Sequence, residues 1–194
     1  LVTLTGGTLT NPGTLQADAG STMTATDTAS IINDGGFIRV GPGATLNVAG
    51  PLQNMAGFIE MNHGELVVNQ GIGFNTGTLS GSGSITGSLS FGTSSLLSPG
   101  ASPGILEIAG LVDVAGSIWL EIDGRLVDGN LPEWNIVNSG LDPYSMQIDQ
   151  IHVLDQLGMQ AGGIIFVRFS SYFSLQAGGF FCLIITRNTV VRSI

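Results

Sequence analysis

An asparagine recurs along the first half of this chain at a nearly constant interval. Asn11, Asn33, Asn54 and Asn75 are separated by 22, 21 and 21 residues. A glycine follows each within two or three positions: Gly13, Gly35 with Gly36, Gly57, and Gly77. Four positions after each asparagine stands a large apolar residue, Leu15, Phe37, Phe58 or Leu79. Leu9, Ile31 and Leu52 precede the first three by two positions, and Met23, Leu46 and Leu66 follow 12 or 13 positions on, each after a glycine turn at Gly20, Gly43 or Gly64. A fixed period of this length is the signature of a repeat architecture. One such unit cannot bury its own apolar side, so neighbouring units must do it by stacking.

The segments between the turns are strand-like. Phe37-Ile38-Arg39-Val40, Ala44-Thr45-Leu46-Asn47-Val48, Phe58-Ile59-Glu60-Met61 and Glu65-Leu66-Val67-Val68 are short and bounded by glycine or asparagine. No long window carries a 3.6-residue apolar period free of glycine. The expected fold is all-β: a right-handed parallel β-helix, or β-solenoid, of ~21-residue coils stacked at the ~4.8 Å strand spacing. Equivalent residues then form ladders. Asn11, Asn33, Asn54 and Asn75 are expected to bond amide to amide at a turn, and Leu15, Phe37, Phe58 and Leu79 to stack in the interior.

Composition changes near the middle. Of the 19 charged residues 13 lie after position 100, and 14 of the 16 threonines lie before position 94. The division expected is residues 1–96 as regular coils and 97–194 as a continuing or capping β region. A polar stretch at about 123–147 interrupts the second part and is longer than an ordinary connection. The chain opens Leu1-Val2-Thr3-Leu4-Thr5, without an initiator methionine or an apolar leader, and so reads as a mature or excised piece of a longer protein.

Ser98-Pro99-Gly100-Ala101-Ser102-Pro103-Gly104, followed by Ile105-Leu106-Glu107-Ile108, resembles a segment in the passenger regions of autotransporter-type and filamentous-haemagglutinin-like bacterial surface proteins. Gly116 to Ile122, Asp149-Gln150-Ile151-His152-Val153 and Leu175-Gln176-Ala177-Gly178-Gly179-Phe180 resemble later strands of the same proteins. The resemblance implies a parallel β-helix from a secreted or cell-surface bacterial protein. It names no activity, because such solenoids carry adhesins, enzymes and inert stalks alike.

The net charge of −9, with five arginines and no lysine, excludes a nucleic-acid binder held by phosphate contacts. Among the apolar stretches none approaches the ~20 residues of a spanning helix. A single cysteine, Cys182, excludes an intrachain disulfide, and it reads as a small strand hydrophobe. His63 reads as a solvated corner residue and His152 as a strand residue, since no Gly-x-Ser-x-Gly elbow supports a triad. Arg39 and Glu60 share an offset from their asparagines and are expected to pair across coils on an exposed face. Glu60 and Glu65 are the one carboxylate pair a polysaccharide-cleaving enzyme could use; the alternative is a solvated face. Thr22-Met23-Thr24 suggests an ice-binding row, but the next coils replace it with Thr45-Leu46-Asn47 and Glu65-Leu66-Val67. Asp123, Asp128 and Asn130 gather oxygen ligands around glycine turns as a candidate calcium loop, the alternative being a bare acidic loop. No other cofactor is expected. Trp134 and Tyr144 are candidates for contact with a partner or a glycan, the alternative being that they hold the loop against the solenoid.

The expected function is therefore structural or adhesive: a rigid extracellular solenoid that self-associates end to end or stacks on neighbouring coils of a longer chain. The competing expectations are a glycan-binding adhesin module and a polysaccharide-degrading β-helix enzyme.

Overall fold

The computed structural model describes residues 2–100, 104–124, 146–148 and 150–169. These form a parallel β-solenoid with ~21-residue coils and no helix among the described residues. Each coil contributes a strand segment to each of three faces. Thr8–Asn11, Thr14–Ala17 and Thr22–Thr26 make one coil, and Ser30–Asn33, Phe37–Val40 and Thr45–Val48 make the next. Every segment of the first pairs in parallel with its counterpart in the second. Further along, the corners straighten enough for strands to run through them, as in Phe58–Val68, Ile72–Thr86 and Leu89–Pro99.

Side chains alternate in and out along each segment, so register converts sequence into columns. The first face points Leu9, Ile31, Leu52, Ile72, Leu89, Val112 and Leu157 inward above one another, the two end members half-buried. The third does the same with Met23, Leu46, Leu66, Ile85, Ile108 and Val153. The second carries Leu15, Ile38, Ile59, Leu79, Leu97, Ile118 and Ile165. Together these columns supply most of the continuous core. Each fully buried Leu or Ile contributes ~1.5–3 kcal/mol by leaving water.

The expected interior stack is corrected at two of its four places. Leu15 and Leu79 do point inward, but Phe37 and Phe58 are 37% and 43% exposed and lie on the outside of the second face. The cause is corner length. Pro12, Gly13 and Thr14 separate Asn11 from Leu15, whereas Asp34, Gly35, Gly36 and Phe37 separate Asn33 from Ile38. One added residue before a strand moves its apolar set to the other face. Ile38 and Ile59 therefore take the inward places. The asparagine ladder is corrected at its fourth member. Phe74, not Asn75, lies opposite Asn54, and Asn75 is exposed at the corner, where its Nδ2 donates to Met55 Sδ at 3.2 Å.

The columns continue without a break across residues 96–97: Leu97 sits between Leu79 and Ile118. The strands that flank the polar stretch near 123–147 pair with each other, departing from the parallel pattern. Ser117–Gly124 pairs antiparallel with Met146–Ile148, with Asp123 opposite Gln147, after which Gln150–Val153 rejoins the third face in parallel. Asp128, Asn130, Trp134, Tyr144 and Cys182 lie outside the described residues.

Ile38→Ala is expected to lower the unfolding free energy by about 2–5 kcal/mol through the cavity it leaves. Phe37→Ala is expected to cost only about 0.5–1.5 kcal/mol, the worth of an exposed ring pair. Urea denaturation of the two variants measures both. The opposite ranking would mean that the register of the second face is displaced by one residue.

Candidate functional site

Asn11 Nδ2 donates to Asn33 Oδ1 at 2.8 Å, and Asn33 Nδ2 donates to Asn54 Oδ1 at 2.7 Å. Asn33 and Asn54 are fully buried. Their amides also reach the backbone at the corner: Asn33 Nδ2 donates to Gly36 O and Asn54 Nδ2 to Gly57 O, at 3.0 and 2.8 Å. The ladder closes on itself and satisfies corner carbonyls that would otherwise be buried without partners. It is structural, and it explains the glycine that follows Asn33 and the one that follows Asn54. A Cβ at Gly57 would collide with Asn33 Nδ2, and one at Gly36 with Asn11 Nδ2. Space, not backbone conformation, requires glycine at these two positions.

The richest chemistry lies on the outside of the second face. Alternation along Phe37-Ile38-Arg39-Val40 and Phe58-Ile59-Glu60-Met61 turns Phe37, Arg39, Phe58 and Glu60 to solvent together. The two phenyl rings stack at 5.0 Å between centroids, 13° from parallel. Arg39 Nε donates to Glu60 Oε2 at 2.8 Å, joining the expected pair across coils. With side chains 47% and 51% exposed, this pair is worth at most ~1 kcal/mol. The Arg39 guanidinium also lies 5.2 Å from the Phe37 ring centroid, a contact of ~0.5–1 kcal/mol at an exposed site. One coil earlier, Gln16 Nε2 donates to Asp18 Oδ1 at 2.6 Å. Gln16, Asp18, Arg39, Pro42, Glu60 and Asn62 line an open depression where this face turns its corner.

His63 holds that corner. Its φ of 56° lies in the left-handed region, which is uncommon for a residue with a side chain. Its Nδ1 is 3.2 Å from Asn62 Oδ1, its Nε2 is 3.4 Å from Ser82 Oγ, and its carbonyl accepts from Gly43 N. Glu60 and Glu65 fall on either side of it. Glu60 belongs to the second face and Arg39, whereas Glu65 belongs to the third, where Thr45 Oγ1 donates to its Oε2 at 3.4 Å. His152 lies opposite Glu107 on the third face, in the middle of a strand. Thr24 lies opposite Asn47, and Thr22 lies opposite Thr45, which is followed by Glu65, so neither threonine column persists. Among the described residues no group of three or more His, Cys, Asp or Glu side chains converges. Asp123 is described through its strand pairing only.

The exposed aromatic pair escapes a reading that counts offsets from the asparagines. Arg39 and Glu60 carry the signal that finds it. A charged side chain on a repeat strand faces out, and the residue two before it must face the same way. A second exposed pair, Trp119 and Phe166, lies further along the same face, with ring centroids 5.6 Å apart in an edge-on arrangement. Comparison with protein families, curated proteins and solved structures finds no match to this chain.

Asn33→Ala removes a donor and an acceptor from a closed, buried ladder. It is expected to lower stability by about 1–3 kcal/mol for each partner left unsatisfied. A double-mutant cycle on Arg39 and Glu60 is expected to give a coupling below ~1 kcal/mol that fades as salt is added. Thermal and chemical denaturation of these variants check both.

Proposed function

We propose that this chain is a rigid structural or adhesive part of a bacterial cell-surface or secreted protein, and that it acts without catalysing a reaction. The observation that carries this reading is the unbroken run of like-on-like columns. Such a stack gives a stiff support with few internal degrees of freedom, and at one place along its length two strands pair antiparallel. The likeness of Ser98 to Ile108 and of Asp149 to Val153 to autotransporter-type and haemagglutinin-like passengers supports the extracellular setting. No helix among the described residues is long and apolar enough to cross a membrane. Against a polysaccharide-cleaving reading stands the separation of Glu60 and Glu65 onto different faces, with Glu60 bound to Arg39.

The mode of assembly is coil on coil. Val2–Thr5, Thr8–Asn11 and Thr14–Ala17 each pair on one side only among the described residues. An unpaired strand edge is a template for another strand, whether from a further coil of the same chain or from a second copy. Adhesion is the second part of the proposal. Its support is the exposed aromatic and charged surface of the second face.

The purified chain is expected to resist protease and to form rods that lengthen with protein concentration. Salt should favour them, because a charge of −9 repels its copies until the screening length falls from ~10 Å at 0.1 M to ~3 Å at 1 M. Negative-stain electron microscopy with light scattering checks this. A 19.9 kDa monomer at every salt and protein concentration would refute end-to-end assembly of this chain.

A further inference from the structure

We propose that the depression beside Phe37 and Phe58 is a binding subsite for a neutral, β-linked glycan lying along the solenoid axis. The proposal rests on the adhesive reading above and gives it a location. A sugar ring presents an apolar C–H surface and a rim of hydroxyls. A protein that binds it needs exposed apolar surface beside planar polar side chains that donate and accept in one plane. The second face brings these together across three successive coils. Phe37 and Phe58 stack on one another along the axis and so offer a ridge of exposed ring rather than a single open plate. Arg39 and Glu60 stand two places past the rings on the same outward side, with Gln16 in register one coil earlier, and with Asp18 and Asn62 they line the depression next to the ridge.

These polar groups are already oriented by each other. The Gln16–Asp18 bond of 2.6 Å and the Arg39–Glu60 bond of 2.8 Å hold them in place before any ligand arrives. Preorganisation of this kind reduces the ordering cost of binding. Capacity remains, because a guanidinium has five donors and each carboxylate several acceptor sites. The geometry also sets the direction of the ligand. Successive coils advance by ~4.8 Å, a step comparable with the length of one pyranose ring. A flat β-linked chain can therefore place successive sugars against successive coils. The charge sets its class: Glu60 neutralises Arg39, Asp18 adds a negative charge, and the chain as a whole carries −9, so an anionic glycan is disfavoured.

The test is an NMR titration of the full ¹⁵N-labelled chain with two probes at millimolar concentration, a β-linked glucose hexasaccharide and a β-linked N-acetylglucosamine hexasaccharide. At least one is expected to shift amides confined to residues 16–18, 37–42 and 58–62. Phe58→Ser and Glu60→Gln, both at exposed positions, are each expected to weaken that binding about tenfold, or ~1.4 kcal/mol. Asp113→Asn, on the first face, is expected to leave it unchanged. No shift with either probe, shifts centred elsewhere, or undiminished binding by both variants would overturn the subsite. So would concentration-dependent shifts of the same amides without sugar, which would assign the surface to a second copy of the chain. Rods that form without binding either probe would remove the subsite and leave the structural reading standing.

Discussion

Parallel backbone pairing between successive coils is the constraint on which everything else rests. It places each residue directly over its counterpart one coil earlier, so any residue type that recurs meets its own kind. Aliphatic residues then build continuous columns, as Ile38, Ile59, Leu79 and Leu97 do. Asparagines bond amide to amide, and phenylalanines stack, outside at Phe37 and Phe58 and inside at Phe74 and Phe91, whose centroids are 4.4 Å apart. The same geometry turns one arginine and one glutamate into an ion pair.

The corners decide which way these columns face. A strand has only two sides, so a corner longer by one residue exchanges them. The first asparagine corner is one residue shorter than the two that follow, which is why Leu15 lies inside while Phe37 and Phe58 lie outside. The inner column of the first face shows a different solution to the same place in the coil. Asn11, Asn33 and Asn54 occupy it first, and Phe74, Phe91 and Val114 continue it. The polar ladder thus gives way to an apolar one without interrupting the stack. Its partners are all within the ladder or the adjacent backbone, so it leaves no polar atom to a ligand. Surface chemistry falls instead to the outward positions, where the stack has no use for the side chains and the second face gathers aromatic, cationic, anionic and amide groups together.

Much of this was readable from residues alone. The period near 21, the strand-like segments and the glycine corners define a solenoid. The Asn11–Asn33–Asn54 ladder and the Arg39–Glu60 pair follow from equal offsets within equal repeats. The calcium and partner residues expected in the polar insertion, Asp128, Asn130, Trp134 and Tyr144, lie outside the described residues, and Asp123 shows only its pairing with Gln147. The depression at Gln16, Arg39, Glu60 and Asn62 was not readable, because its members come from three coils and are joined only by lateral register.

Leu79 shows where the boundary falls. Counting four residues from Asn75 assigns it to the interior, and it is there, but two errors cancel: Asn75 lies one place past the ladder position, which Phe74 holds, and Leu79 lies five places, not four, from that position. Sequence by itself determined that the chain repeats, that its repeats are β, and which residue types recur, because period and alternation are read along the chain without knowing which coil lies beside which. The tertiary structure alone decided which of those residues face the core, because inward and outward differ by a single residue at a corner, and only the hydrogen-bonded register of the next coil selects between them.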